Sequence, residues 1–206
     1  MFMTFAEAFA LHGPAAGLPP ESAEPLGTWH RMLTRWNRKT NLTRVIAPEA
    51  ALIYHVLDSL PLTRAIPAGA ALLDVGSGPG VPGLIVAILR PDVHVTCAES
   101  VSKKAAFLVQ VRGALQLANV QIENGRAEKL DTAFDWIAAR AVAEPAKLAD
   151  EFGHLLNPGG VLALFLAATA APSLPEDFTA VKTVDYELPG GFGHRRLVLV
   201  ARTESE

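Results

Sequence analysis

The sequence predicts an α/β fold: a mostly parallel, seven-stranded, doubly wound sheet that ends in an antiparallel hairpin and carries an N-terminal helical extension. Three observations lead there. From residue 71 onward, short apolar runs bounded by turn residues alternate with helical patterns, the signature of a parallel sheet wrapped by helices. The first run, Leu72-Leu73-Asp74-Val75, breaks into Gly76-Ser77-Gly78-Pro79-Gly80-Val81-Pro82-Gly83, with four glycines in eight residues. The last two runs are separated by the turn Pro189-Gly190-Gly191, which leaves no room for a crossover helix and makes that pair antiparallel.

Taken in order, alanines and aromatics from Phe2 to Leu11 predict a short helix, and Gly13-Pro14 and Pro19-Pro20 punctuate the segment after it. A second helix runs from near Glu21 to about Lys39, with Trp29, Met32, Leu33 and Trp36 inward at helical spacing. In Trp36-Asn37-Arg38-Lys39-Thr40-Asn41-Leu42-Thr43 the Asn and Thr side chains compete for the backbone, so the helix ends in a structured loop. Pro48 starts a third helix, Glu49 to Leu60, where His55 and Asp58 share a face, either as a structural pair or near the mouth of a cofactor site. Pro67 to Ala70 is a hinge that divides the chain into an extension, residues 1–68, and a sheet domain, residues 69–206. Strands follow at Ala71–Val75, Val93–Ala98, Val120–Glu123, Trp136–Arg140, Val161–Leu166, Ala180–Leu188 and Leu197–Ala201, with a helix over Lys103–Leu117.

The chain has 206 residues, half of them hydrophobic, enough for one domain with a sizeable core plus a smaller appendage. Its one cysteine, Cys97, lies in an apolar strand and reads as a small buried hydrophobe, so no disulfide framework is expected and a reducing cytoplasm is the natural compartment. Met1 to Leu11 lacks a basic flank and carries Glu7, and no apolar run is long enough to span a bilayer, so the chain is expected to be neither secreted nor anchored. The net charge of -3 is unevenly spread. Between His30 and Arg44 stand Arg31, Arg35, Arg38, Lys39 and Arg44 with no acid among them, interleaved with Trp36. Such a local excess suits a phosphate backbone, because counterion release depends on the cations in contact and not on the total charge. The same helix packs its apolar stripe on the opposite side.

The glycine stretch frees the backbone to adopt positive φ and clears side chains from the path of a ligand, and the helix after it points its first amides the same way. Gly78, Gly80 and Gly83 also satisfy the dinucleotide fingerprint, which keeps two cofactor classes open. Asp74, at the end of the first strand, would repel a pyrophosphate but suit the sulfonium and ammonium of S-adenosylmethionine. Glu99, ending the second strand, stands where a Rossmann-like unit accepts hydrogen bonds from ribose hydroxyls, and serves either class. A nicotinamide-dependent oxidoreductase is therefore an alternative, although it explains neither Asp74 nor the terminal hairpin.

Together with the segment Trp36 to Thr43 and His55-x-x-Asp58-Ser59, the glycine stretch resembles the bacterial ribosomal RNA small subunit methyltransferase G family, also called glucose-inhibited division protein B. The resemblance runs from about Trp29 to Val200. It implies a Rossmann-like class I fold and S-adenosylmethionine-dependent transfer to a guanine N7 in the decoding-region loop of 16S ribosomal RNA. It also implies ribosomal RNA or the small subunit as partner, no metal, and a cytoplasmic monomer. Gly76 and Val81, with Gly78 and Gly80, fall in the family's cofactor loop; Glu99 matches its ribose acid; Ala127 and Glu128, in Gly125-Arg126-Ala127-Glu128, match a pair bordering the adenine. Arg140 matches an arginine at the cofactor and substrate mouth, and Lys103 and Lys104 a basic pair that meets RNA or caps a helix. Where the family carries Lys-Gly, this chain has Leu166-Ala167, which bears on RNA affinity; His194-Arg195-Arg196 supplies some of the missing charge. A non-catalytic RNA-binding relative is the second alternative.

Guanine N7 already has an in-plane lone pair, so no general base is expected. Positioning, with the reacting atoms roughly 3 to 3.5 Å apart, supplies most of the acceleration. An arginine against the ring would oppose the cationic product, so Arg140 is expected to hold a carboxylate or a phosphate. A deep A-form groove hides N7, which places the target in a loop or splayed out of its helix.

Overall fold

The computed structural model describes residues 3–140, 144–169 and 172–203. Seven strands form one sheet in the order β3-β2-β1-β4-β5-β7-β6. Strands β1 (Ala71–Val75), β2 (His94–Ala98), β3 (Val120–Glu123), β4 (Phe134–Arg140) and β5 (Leu156–Ala167) are parallel. Strand β7 (Gly193–Arg202) inserts between β5 and β6 (Phe178–Leu188), antiparallel to both. The hairpin read from the sequence is therefore present. A dinucleotide-binding sheet runs 3-2-1-4-5-6 with parallel strands, and the inserted antiparallel strand departs from it.

Two expectations at the β4–β5 connection need correction. The residues Asn157 to Gly160, which precede the strand expected at Val161–Leu166 and carry turn chemistry, lie inside β5 beside a shift of pairing register between Phe134 and Trp136. Asp135 holds that irregularity: its Oδ1 accepts from Asn157 Nδ2 at 2.8 Å, its Oδ2 from the Ala71 N–H at 2.9 Å. A helix, α7 (Pro145–Phe152), stands where the sequence reading places none. Its signals are nonetheless there, with Pro145 at the first helical position and Leu148, Ala149 and Phe152 on one buried face.

In the extension, α1 (Phe5–His12) opens with a capping box between Thr4 and Glu7; Phe2, the expected start of the helix, lies outside the described residues. Helix α2 (Ala23–Thr40) matches expectation. The third predicted helix is longer and less regular than expected. It comprises α3 (Pro48–Ala51), a wide π turn (Leu52–Val56), a tight 3-10 turn (Leu57–Ser59) and α4 (Leu60–Ala65). Pro61 has no N–H to continue a regular ladder, and the Ser59 and Thr63 hydroxyls donate back to carbonyls four residues earlier, at 2.6 and 2.9 Å.

Strand side chains alternate between two cores. On one side Leu72, Trp136 and Leu197 pack with Leu26, Trp29, Leu33 and Leu52 of the extension and with α5 (Gly83–Leu89) and α6 (Ser102–Ala114). On the other, Leu73, Val75, Ile137 and Val198 pack with Leu148 and Phe152 of α7. The extension is thus a layer on the sheet, sharing its larger core. No helix among the described residues is long and apolar enough to cross a membrane.

Candidate active site

Val75 pairs with Ala98 on one side and Ala139 on the other, so the chain leaves β1 at the centre of the sheet's carboxyl edge, where successive strands turn from one direction to the other. Ligands of open α/β sheets bind at this switch point. The Gly76 and Ser77 N–H groups both donate to the Ala98 carbonyl, at 2.9 and 3.1 Å, which folds the bend toward β2. The glycines divide the work. A Cβ on Gly80 would strike the Leu84 side chain, and one on Gly83 would lie 2.6 Å from Asp74 Oδ2, so these two allow the bend to pack on its own helix. Gly78, at φ +50°, has nothing nearer than 3.7 Å, and Gly76 lines an open cavity.

Two buried carboxylates hold the bend by its backbone. Asp74, 1% exposed, accepts from the Gly83 N–H through Oδ2 at 3.0 Å. Asp74 thus lies under the bend. Its Oδ1 is buried with no partner among the described residues. Burial pushes its pKa up to about 7 against the hydrogen bonds of Ser77 and Gly83. Glu99 is 5% exposed; Oε2 accepts from the Gly78 N–H at 3.0 Å and Oε1 from the Val101 N–H at 2.8 Å. The extension adds a third hold, because the fully buried Trp29 donates from Nε1 to the Pro79 carbonyl at 2.9 Å. Val81 is buried in the larger core, and Cys97 is buried beside Gly83 with its thiol pushed up by burial.

Beside the bend a cavity of about 530 Å³ is lined by Gly76, Ser100, Ala127, Glu128, Lys147 and Phe152 among others. Ala127 and Glu128 are thereby brought to the same cavity as Gly76. Ser100, Lys147, Glu151 and Phe152 are lining residues that sequence reasoning misses, three of them because it misses α7. The Glu128 carboxyl is held below its ordinary range by its own backbone N–H and by Arg126, 3.3 Å away.

Arg140 does not line this cavity. Ala139 faces the smaller core, so the next residue projects to the other side of the sheet, toward the extension. There Arg140 Nη2 lies 2.6 Å from Asp58 Oδ2, with the guanidinium carbon 6.0 Å over the Phe165 ring. Asp58, 2% exposed, also accepts from the Tyr186 hydroxyl at 2.6 Å. The expected His55–Asp58 pair is therefore not formed. His55 Nε2 instead meets the Val45 carbonyl at 3.0 Å, the ring sits edge-on to Trp29, and burial lowers its pKa to about 4, which keeps it neutral.

The basic stretch is smaller than the sequence suggests. Arg31 is tied to Glu24, in the first turn of α2, at 2.9 Å, and to Thr28. Arg35, Arg38, Lys39 and Arg44 are exposed and form no ion pair among the described residues. Asn37 clasps the loop after α2 that carries Arg44, donating to the Thr43 carbonyl and accepting from its N–H, both at 2.9 Å. Arg35 and Lys39 border a cleft with Trp36 and Gln110, between α2 and α6; Lys103 and Lys104 lie in the first turn of α6. At the departure from the family pattern, Leu166 pairs with Arg196 and Ala167 with Arg195. Arg196 is held by Asp185 at 2.6 Å, while Arg195 stands 5.7 Å over the Tyr54 ring.

Among solved structures the fold resembles a putative methyltransferase yhhF from Escherichia coli, at TM-score 0.57 and 13% identity over 72% of this chain and 87% of that one. It also resembles coclaurine N-methyltransferase bound to N-methylheliamine and SAH, at TM-score 0.57 and 17% identity over 76% and 58% of the two chains. Sequence relatives are nearer. The ribosomal RNA small subunit methyltransferase G of Xanthomonas oryzae pv. oryzae is 39% identical over 193 residues, 91% of each chain. The Methylobacillus flagellatus protein of that name is 41% identical over 146 residues, 70% of this chain and 71% of its own. The family model for rRNA small subunit methyltransferase G matches residues 22–186. With that span matched and a relative 39% identical over 91% of both chains, the chain belongs to the rRNA small subunit methyltransferase G family.

Proposed function

We propose that the protein transfers a methyl group from S-adenosylmethionine to N7 of a guanine in the decoding-region loop of 16S ribosomal RNA, acting in the cytoplasm as a monomer. The observation that carries this reading is the glycine bend, held from beneath by Asp74 and Glu99 in a chain of this family. The site fits the donor. Asp74 Oδ1 is a buried acceptor with no donor among the described residues, suited to a cationic group directly or through water. Gly78 leaves open space, and the cavity beside Gly76 is of the size small cofactors occupy. Glu99 retains lone pairs for ribose hydroxyls beyond the two N–H groups it already accepts, and Ala127 and Glu128 border the adenine.

The donor, when bound, supplies an electrophilic methyl on a sulfonium. The protein's part is positioning, since N7 needs no deprotonation and positive charge only moves from sulfur to purine. No side chain is assigned as a general base. Arg35, Arg38, Lys39 and Arg44, with Lys103 and Lys104, meet phosphates around a base displaced from its helix. Arg195, across from Ala167, supplies charge near the place of the family's lysine.

Methyl transfer to ribosomal RNA from cells lacking the activity, with the modified nucleotide mapped, tests the proposal. A decoding-loop guanine modified at N7 is expected; donor binding without incorporation would favour a non-catalytic RNA-binding relative. Charge reversal of Arg35 and Arg38 together should weaken RNA binding and flatten the plot of log affinity against log salt by about 0.7 to 0.9 for every phosphate no longer neutralised. An unchanged slope would remove these residues from the interface. Without a donor, Asp74 stays protonated up to about pH 7, whereas a bound cation favours its carboxylate. Donor affinity measured by calorimetry should therefore rise from about pH 6 to about pH 8, and Asp74→Asn should remove the part of that rise due to Asp74. Identical pH profiles would show that Asp74 does not sense the donor.

A further inference from the structure

Arg140 stands at the sheet's carboxyl edge one residue past Ala139, the partner of Val75, and so lies beside the start of the glycine bend. It projects to the same side of the sheet as Asp74. An isolated guanidinium there would work against a reaction that leaves positive charge on a purine. The structure cancels that charge. Asp58 is 2% exposed, yet both of its carboxylate oxygens are engaged: Oδ2 by Arg140 Nη2 at 2.6 Å and Oδ1 by the Tyr186 hydroxyl at 2.6 Å. The three residues come from the tight turn before α4, the end of β4 and the terminal hairpin, so the extension, the central sheet and the last strands meet at one ion pair.

The arrangement leaves Arg140 useful. Its side chain is 21% exposed and carries five N–H donors, of which Asp58 takes part, while Phe165 packs at 6.0 Å. Burial, and then the Asp58 charge, raise the Tyr186 pKa, so the phenol remains a donor toward the carboxylate. A guanidinium held on one side by a carboxylate keeps its planar fork in one orientation and its remaining donors aimed elsewhere.

We propose that Asp58 is a positioning residue for methyl transfer: it fixes the Arg140 guanidinium and neutralises it, so that an arginine donor can face RNA or cofactor at the sheet's carboxyl edge, beside the glycine bend and across the sheet from the cavity at Gly76, without opposing the cationic product. Tyr186 steadies the same carboxylate from the hairpin. The proposal rests on the methyltransferase reading above, and wild-type turnover in the same assay reports on that reading separately.

The test compares wild type, Asp58→Asn, Arg140→Gln, the double variant and Tyr186→Phe in steady-state methyl transfer to ribosomal RNA, with donor affinity measured by calorimetry. Asp58→Asn should lower kcat by about 10- to 100-fold while the KM for RNA moves by less than about threefold. Because Asp58 acts through Arg140, adding Asp58→Asn to Arg140→Gln should cost less than about twofold further. Tyr186→Phe, which leaves the ion pair in place, should cost less than Asp58→Asn and should likewise add nothing to Arg140→Gln. Unchanged kcat in Asp58→Asn, or losses that multiply in full in the double variant, would overturn the proposal. Should Asp58→Asn fail to fold by circular dichroism, Tyr186→Phe decides by the same rule: coupling to Arg140→Gln supports it, independence overturns it.

Discussion

Two buried carboxylates gripping one loop by its backbone are the constraint on which the rest of the molecule depends. A glycine-rich bend has no side chains with which to hold its own shape. Here Asp74 takes the Gly83 N–H, Glu99 takes the Gly78 N–H, and the Ala98 carbonyl takes two more. Burying carboxylates is costly unless they are hydrogen-bonded, and these are bonded to the segment whose shape a cofactor needs. The bond from Trp29 to the Pro79 carbonyl makes the extension part of the same device.

The extension therefore does more than present charge. Its apolar stripe completes the larger core, its Trp29 braces the bend, and its Asp58 reaches the end of β4. The cations that form no ion pair among the described residues face outward from the second half of α2 and the loop after it, which Asn37 closes. The apolar stripe and the exposed cations thus occupy opposite faces of one helix. Transfer to a lone pair asks little acid–base chemistry of a protein and much positioning, for which the molecule offers a preformed bend and a cavity beside it.

Most of the fold is legible in the sequence because it is written locally. Apolar runs mark the strands, the glycine stretch marks the switch point, and the short terminal turn fixes the antiparallel pair. Helix α7 escapes because a single buried face of three residues over eight is a weak periodic signal. The irregular start of β5 reads as a turn because Pro158 and Gly159 carry turn chemistry, whereas the strand there is held by Asp135, more than twenty residues away. For the site residues, legibility depends on the range of their partners. Glu99 can be placed from its position after the second strand, whereas Ala127-Glu128 are placed only by the family resemblance, a charged residue after a strand being by itself a weak signal. Sequence spacing pairs Asp58 with His55, three residues off, when its partners are Arg140 and Tyr186, the latter 128 residues on. Arg31 looks free because Glu24 lies outside the acid-free segment.

Titration calorimetry with S-adenosylmethionine and NAD on the wild-type protein and on Glu99→Ala tests the central claim most directly, that carboxylates holding the bend prepare a site for a cationic methyl donor. The account predicts that S-adenosylmethionine binds the wild type, that NAD does not, and that Glu99→Ala loses the donor. No heat from S-adenosylmethionine at millimolar concentration, or equal binding of NAD, would contradict it.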